Sequence, residues 1–174
     1  MGPEKLWPDP VPDTYSLERC LRQKGYQWIA GLDEVGRGPL AGPVVAACVI
    51  LQENCDNRCF VDSKTINAKN RTLLYQELKQ NSAQISVGVV SETDIDRVNI
   101  LQASLLAMKK AILTMPVQPD YLLVDGNQPV PISIPQQTLV KGESKSASIA
   151  AASIVAKVIR DDMMDQYQIG RAHV

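Results

Sequence analysis

Hydrophobic positions along the chain fall into two patterns, short apolar runs and longer segments with helical spacing. The apolar runs, each bounded by charge, glycine or proline, predict strands at 26–33, 43–51, 85–90, 121–124 and 137–141. Helical spacing predicts helices at 17–24, 67–80 and 146–167, and one long helix from Ser91 to a stop at Pro116. Ser16 is the expected N-cap of the first helix. Strands come first and then alternate with helices, which indicates an α/β fold with a mixed sheet flanked by helices.

The composition is that of one domain of ordinary size. The chain has 174 residues, of which 45% are hydrophobic but only 5% aromatic, so aliphatic side chains must fill the core. We expect an arm and short helix over 1–25, the main domain over 26–167, and a non-native tail over 168–174, where no pattern continues. The longest apolar run, Val44–Leu51, is too short to cross a bilayer, and no apolar leader is visible. We therefore expect a cytoplasmic protein without membrane contact.

Charge and cysteine content limit the kinds of nucleic-acid interface and metal site that the chain can form. The net charge is −1, so a nucleic-acid interface would have to be a local basic face. Cys48 lies in an apolar run and is expected in the core. Cys55 and Cys59 are a weak zinc motif, because no second Cys or His pair follows them. Reduced thiols are the expected state of Cys20 and the other three cysteines.

Four acidic residues stand beside glycine at element ends or in loops: Asp33, Glu34, Asp125 and Glu143. Clustered carboxylates repel one another unless a cation lies between them, and oxygen ligands suit Mg²⁺ or Mn²⁺. The single histidine, His173, lies in the patternless tail. This argues against zinc chemistry and against Ser–His or Cys–His catalysis.

An acidic residue at a strand end is more often a turn former or a cap than a ligand. Adjacent carboxylates on a regular strand also point to opposite faces, so Asp33 and Glu34 could share a metal only where the strand ends or distorts. Gly36 and Gly38 make such a distortion easy. The spacing of these residues by itself leaves both interpretations open.

The segment Leu32–Val45, which contains Asp-Glu-Val-Gly-Arg-Gly-Pro, resembles the signature of the ribonuclease HII family. Further ordered matches occur at Asp62–Lys64, Asn99–Met108, Val124–Asn127, Lys141–Ser144 and Ser148–Val158. The resemblance spans residues 30–164, and ordered motifs are far more specific together than any of them alone. An unrelated domain with chance matches is therefore disfavoured.

The resemblance implies a ribonuclease H-like fold, with a mixed five-stranded sheet flanked by helices and the catalytic domain over 26–167. It implies an endonuclease that hydrolyses the RNA strand of RNA–DNA hybrids, and ribonucleotides embedded in duplex DNA, by two-metal chemistry that leaves 5′-phosphate and 3′-hydroxyl ends. By the same resemblance, Asp33, Glu34 and Asp125 would bind Mn²⁺ or Mg²⁺. Glu143 would be the fourth catalytic carboxylate, at a position where the family usually has Asp.

The resemblance also implies a set of substrate contacts. Gly36, Arg37 and Gly38 would read the ribose, because glycines let the backbone approach the 2′-hydroxyl that distinguishes RNA from DNA. The remaining substrate-binding residues would be Ser63, Lys64, Lys141, Ser144 and Lys145. For each lysine a solvated surface position is an equally ordinary role, and a tight turn with a solvated arginine is the alternative for Gly-Arg-Gly. Asp161 and Asp162 are expected on a hydrated helix face, with Arg160 paired to one of them.

Alternative functions remain at this point. A junction resolvase shares the fold, but a DNA-only enzyme has no ribose for the Gly-Arg-Gly segment to read. A hybrid-binding but catalytically impaired protein is a second alternative, given Glu143 and an apparent C-terminal truncation. The family normally continues with a segment whose tyrosine stacks under the ribose, and no match to it follows Tyr167. We expect the protein to be a monomer.

Overall fold

The computed structural model describes residues 13–38, 41–53, 60 and 65–172. The helices are α1 Ser16–Gln23, α2 Ala68–Gln80, α3 Glu92–Val98, α4 Ile100–Leu113 and α5 Ala147–Ala172. The strands are β1 Ile29–Val35, β2 Val44–Ile50, β3 Gln84–Val90, β4 Tyr121–Asp125 and β5 Gln136–Leu139. A 3₁₀ turn, Gly142–Ser144, lies between β5 and α5.

The five strands form one mixed sheet in the order β3-β2-β1-β4-β5. Strand β1 is antiparallel to β2 and parallel to β4, which is in turn parallel to β5. The expected mixed five-stranded sheet with flanking helices is thus confirmed. The β1–β4 ladder ends at the pair Leu32–Val124, whereas the β1–β2 ladder continues to Val35. Beyond Leu32, β1 therefore has a neighbouring strand on one side only, and the sheet opens there.

Helices cover both faces of the sheet. On one face α4 packs Ala107 and Ile112 against the even-numbered residues of β1 and β2, which include Leu32 and the fully buried Cys48. On the other face α5 and α2 pack against the odd-numbered residues of β2, which include Ala47. The first half of α5 is rich in alanine, and its small side chains permit close packing on the sheet. All seven residues of β2 are buried as a result, and Cys48 is confirmed as a core residue.

The single helix expected from Ser91 is wrong, because the chain forms α3 and α4 in its place. Asn99 breaks them apart with φ of 81° and ψ of 165°, a backbone conformation that is incompatible with a continuous helix. Its side chain accepts a hydrogen bond from the Gln102 N–H at 3.0 Å and so caps α4. The three- and four-residue apolar spacing continues across the break, which concealed it.

Several element boundaries also differ from expectation. Ser16 is the first residue of α1 and not its N-cap, a position taken by Tyr15 without a side-chain hydrogen bond. Strand β1 begins later and extends further than 26–33, and α5 continues past Tyr167 to Ala172. The predictions for Cys55, Cys59, Ser63, Lys64 and His173 lie outside the described residues. Within the described part of the chain, no helix has the length and apolar character needed to span a bilayer.

Candidate active site

The opening between β1 and β4 brings the predicted acidic residues together. The strand register that pairs Leu32 with Val124 places Asp33 beside Asp125, since neighbouring strands lie about 4.8 Å apart. A cavity of about 440 Å³ forms at this edge of the sheet. It is lined by Asp33, Glu34, Val35, Arg71, Asp125, Lys141, Glu143, Ser153, Ile154 and Lys157. All four predicted carboxylates therefore share one cavity.

Asp33 and Glu34 both line this cavity, although β1 continues through them to Val35 without an end between them. Both residues lie within β1 and extend toward opposite faces, as regular strand geometry requires. Asp33 faces the α5 side, near Ser153. Glu34 also lines a smaller cavity of about 60 Å³ against Leu101 and Met108 of α4. The two side chains share a site because the sheet is open beside them.

Asp33 is buried among other negative charges. Its exposed fraction is 8%, and its Oδ1 accepts a hydrogen bond from the Glu34 N–H at 2.8 Å. Burial raises its pKa well above the ordinary value, and the charges of Asp125 and Glu34 raise it further. The ionised form of Asp33 is therefore costly in the isolated protein and would be stabilised by a nearby cation.

Glu34 is held by the arginine of the Gly-Arg-Gly segment. Burial raises the pKa of Glu34, while the positive charge of Arg37 opposes the shift. Arg37 Nη1 lies 3.2 Å from Glu34 Oε1. The second oxygen, Oε2, is buried and has no hydrogen-bond partner among the described residues. A buried carboxylate oxygen without a donor is suited to coordinate a cation.

Asp125 and Glu143 are joined through the 3₁₀ turn. Asp125 Oδ1 accepts a hydrogen bond from the Gly142 N–H at 2.8 Å, which fixes the turn against the end of β4. Glu143, the next residue, is carried into the cavity, where its Oε2 lies 3.4 Å from the Ser153 Oγ of α5. The site thus draws one carboxylate pair from β1 and the other two carboxylates from β4 and the turn.

The donor set suits a hard divalent cation, although the carboxylates are each held by a protein donor. Over the ranges that the structure describes, no three acidic, cysteine or histidine side chains already converge as in a preformed metal site. Glu34 is turned toward Arg37, and Asp125 toward the Gly142 N–H. Oxygen-only donors, mutual repulsion at Asp33 and the unpartnered Glu34 Oε2 nevertheless fit the ligand chemistry of Mg²⁺ or Mn²⁺.

Two basic residues of the cavity, Arg71 and Lys157, were missed in the sequence. Asp161 links them, with one carboxylate oxygen 3.6 Å from Arg71 Nη2 and the other 3.6 Å from Lys157 Nζ. The four-residue spacing of Ser153, Lys157 and Asp161 along α5 could have indicated a shared face. Nothing in the sequence pattern indicates Arg71, because α2 reaches the site only through tertiary packing.

The remaining predicted residues are distributed around the cavity. Lys141 lines it, whereas Ser144 and Lys145 are exposed beside it and do not. Arg37 is half-exposed and borders the smaller cavity with Glu34. The expected pairing of Arg160 with Asp161 or Asp162 is wrong: Arg160 is buried, and its Nε donates to the Pro43 carbonyl at 3.0 Å. Asp161 pairs with Arg71 and Lys157 instead.

Comparisons with known proteins show what this chain is similar to in sequence and in fold. The family model described as ribonuclease HII matches residues 30–171. The chain is 57% identical to the ribonuclease HII of Desulfotalea psychrophila over 162 residues, 89% of this chain and 72% of that protein. The ribonuclease H2 structure from Pyrococcus horikoshii OT3 superposes with a TM-score of 0.72 at 24% identity, covering 82% of this chain and 76% of that one. Bst-RNase HIII, solved in complex with Mn²⁺, superposes with a TM-score of 0.67 at 21% identity and covers 90% and 57%.

Proposed function

Because the chain belongs to the ribonuclease HII family, a family of endoribonuclease hydrolases, we propose that its four-carboxylate cavity cleaves the RNA strand of RNA–DNA hybrids. Single ribonucleotides embedded in duplex DNA are included in this proposal. The observation that carries it is the convergence of Asp33, Glu34 and Asp125 beside the Gly-Arg-Gly segment. A cavity that combines clustered acids with a segment suited to approach a ribose supports hydrolysis at a ribonucleotide.

Asp33, Glu34 and Asp125 are the proposed ligands of Mn²⁺ or Mg²⁺, and Glu143 is the proposed fourth catalytic carboxylate. Divalent ions bound there would supply Lewis-acid chemistry, activating water for in-line attack and stabilising the leaving 3′-oxygen. The products would carry 5′-phosphate and 3′-hydroxyl ends. The Gly142 N–H, which holds Asp125, and the Ser153 hydroxyl, which approaches Glu143, orient these two carboxylates.

Basic residues around the acids would hold the substrate. Arg71, Lys141 and Lys157 line the same cavity and are proposed to contact backbone phosphates, which makes binding salt-dependent. Ser144 and Lys145, which are exposed beside the 3₁₀ turn, would contact the nucleic acid further from the cut. Ser63 and Lys64 keep the substrate-binding role that the resemblance implies. The backbone of Gly36 and Gly38 would approach the 2′-hydroxyl.

Cleavage of an end-labelled duplex that contains one ribonucleotide tests this proposal. We expect a single cut at the ribonucleotide in Mn²⁺ or Mg²⁺, leaving a 3′-hydroxyl that a polymerase can extend. Asp125→Asn should cut at least about a hundredfold more slowly, because a metal ligand contributes several kcal/mol to the transition state. An all-DNA duplex is the substrate control, and Asp165→Asn, at an exposed position of α5, is the matched variant.

Equal rates for the parent and Asp125→Asn would contradict the assignment of the metal site. Tight binding of the hybrid by the parent, without cleavage in Mn²⁺, would identify a hybrid-binding protein in place of a nuclease. Cutting of the all-DNA duplex at a comparable rate would contradict ribose recognition.

A further inference from the structure

Arg160 of α5 is a buried cation outside the cavity just described. Its exposed fraction is 8%, low for an arginine, and its Nε donates to the Pro43 carbonyl at 3.0 Å. Pro43 immediately precedes β2, at the far end of the connection that begins with Gly36. The guanidinium therefore bonds to the backbone of the connection that carries the Gly-Arg-Gly segment.

Two glycines make room for this guanidinium. Gly36 has φ of 106°, and a Cβ added there would lie 2.7 Å from Arg160 Nε and 2.5 Å from the Pro43 carbonyl oxygen. Gly42 has φ of 140°, and a Cβ there would lie 3.0 Å from Arg160 Nη2 and 2.8 Å from Met164 Sδ. Both positions require the left-handed backbone that glycine adopts most readily. One planar side chain thus packs against both ends of the β1–β2 connection.

We propose that Arg160 is a positioning residue that fixes Gly36–Arg37–Gly38 relative to the carboxylates of β1, and so sets how a ribonucleotide is engaged. This inference rests on the proposed function, in which Gly36–Gly38 meets the ribose. The guanidinium suits the task because its donors form a rigid plane that can bond to one backbone group while packing against a second. A lysine at this position would keep the charge but present a single flexible ammonium group.

Two neighbouring residues, Gly36 and Arg37, link Arg160 to the site. Gly36, which packs against Arg160, precedes Arg37, and Arg37 lies 3.2 Å from the Glu34 carboxylate. A shift of Gly36 would therefore move both the ribose-facing backbone and the partner of Glu34. Mutation of a group that supports the ligands of a site commonly costs about 10–100-fold in activity. Arg160 itself does not line the cavity and is not expected to bind the metal.

Hydrogen exchange and kinetics on Arg160→Lys test this role. The matched control is Arg171→Lys, the same substitution at an exposed position near the end of the same helix. We expect the amides of residues 34–38, 41, 42 and 44 in Arg160→Lys to exchange faster, while the β3 amides at 84–90 keep the parent rate. The kcat/KM for a single-ribonucleotide duplex should fall about tenfold, as for other supporting groups. The Mn²⁺ concentration for half-maximal rate should change less than kcat/KM, because all four carboxylates are intact.

Gly42→Ala is a second variant that perturbs the same contact from the opposite side, since its methyl would crowd Arg160 Nη2. It should reproduce the local exchange and the kinetic loss. Unchanged amide exchange in both variants would overturn the proposal, and so would faster exchange spread evenly over β3 and α5. Faster exchange confined to the β1–β2 connection, without a loss of kcat/KM, would also overturn it. If the parent itself fails to cut, the proposed function fails, whereas the exchange measurement still decides whether Arg160 anchors the connection.

Discussion

Two buried carboxylates, Glu18 and Asp33, lie in opposite chemical surroundings within the same domain. Glu18 is 1% exposed and Asp33 is 8% exposed, so water solvates neither of them well. Two donors hold one oxygen of Glu18: its Oε1 accepts from the Ser146 hydroxyl at 2.6 Å and from the Ser148 N–H at 3.0 Å, while the described residues offer Oε2 no hydrogen-bond donor. Burial raises the pKa of Asp33, and the neighbouring charges of Asp125 and Glu34 raise it further. The partners of a buried carboxylate therefore add to or offset the cost of its burial.

Glu18 joins α1 to the beginning of α5. Ser146 and Ser148 flank the first residue of α5, where free N–H groups and the helix dipole favour negative charge. The same helix carries Ser153 and Lys157 into the candidate site. Glu18 therefore stabilises α5, the helix that carries part of the site. Asp33 lowers the stability of the metal-free protein, and a bound cation would offset that cost.

Removal of Glu18 should have the largest effect on stability. Glu18→Ala leaves the Ser146 hydroxyl and the Ser148 N–H buried without their acceptor, which should lower the free energy of unfolding by about 2–4 kcal/mol. Thermal unfolding should show a drop of roughly 5–15 °C. Glu77→Ala, at an exposed position of α2, is the control. An unchanged melting temperature of Glu18→Ala would show that Glu18 does not stabilise the fold, and the contrast with Asp33 would then fail.

Asp33→Asn should act in the opposite direction in the metal-free protein. Since the folded-state pKa of Asp33 is raised, its ionised form disfavours folding at neutral pH. The neutral amide should therefore raise the free energy of unfolding by on the order of 1 kcal/mol, or about 2–4 °C. The gain should disappear below about pH 3.9, where the unfolded carboxyl is protonated too. Asp165→Asn should show no gain, and a parent more stable than Asp33→Asn at pH 7 without metal would refute the interpretation.

Glu143→Asp tests how the length of the fourth carboxylate side chain affects cleavage. The longer Glu143 side chain places its Oε2 3.4 Å from Ser153 Oγ, and the shorter aspartate would draw the charge toward the 3₁₀ turn. We expect the cleavage rate in Mn²⁺ to rise a few-fold, since the resemblance to the family implies Asp at this position. Glu77→Asp should leave the rate unchanged. A large loss of rate in Glu143→Asp would mean that the site is adapted to glutamate.

The smallest effect is expected at the basic edge of the cavity. Lys157→Met removes a cation that is already partly balanced by Asp161, so hybrid affinity should fall only a few-fold. If Lys157 contacts a phosphate, the slope of log affinity against log salt should decrease by about 1. Lys24→Met, at an exposed position beyond α1, should change neither quantity. An unaltered salt slope in Lys157→Met would remove Lys157 from the substrate interface.

The sequence predicted the sheet and the acidic residues better than their supporting contacts. Alternating and apolar patterns directly reflect burial, so β2 and the alanine-rich half of α5 were recognisable. The break at Asn99 was not, because a capping asparagine interrupts no hydrophobic spacing. The positions of Arg71 and Arg160 depend on how α2 and α5 pack against the β1–β2 end of the sheet. Local sequence patterns carry no information on that packing.

The opening beside β1 was also invisible in the sequence. Two adjacent acids were expected to share a metal only where their strand ends or distorts. In the structure β1 continues to Val35, and the β1–β4 ladder stops before it. Where one ladder ends and the next continues is decided by pairing between distant segments. The positions of Asp33 and Asp125 were predicted along the chain, while their meeting follows from the sheet topology.

Calorimetric titration of Mn²⁺ into the nucleic-acid-free protein at pH 7 tests most directly whether these acids form a cation site. We predict saturable binding by the parent and affinity at least about tenfold weaker in both Asp33→Asn and Asp125→Asn, since each variant removes a charged ligand. Equal affinity in all three proteins, or no binding by the parent, would contradict the account.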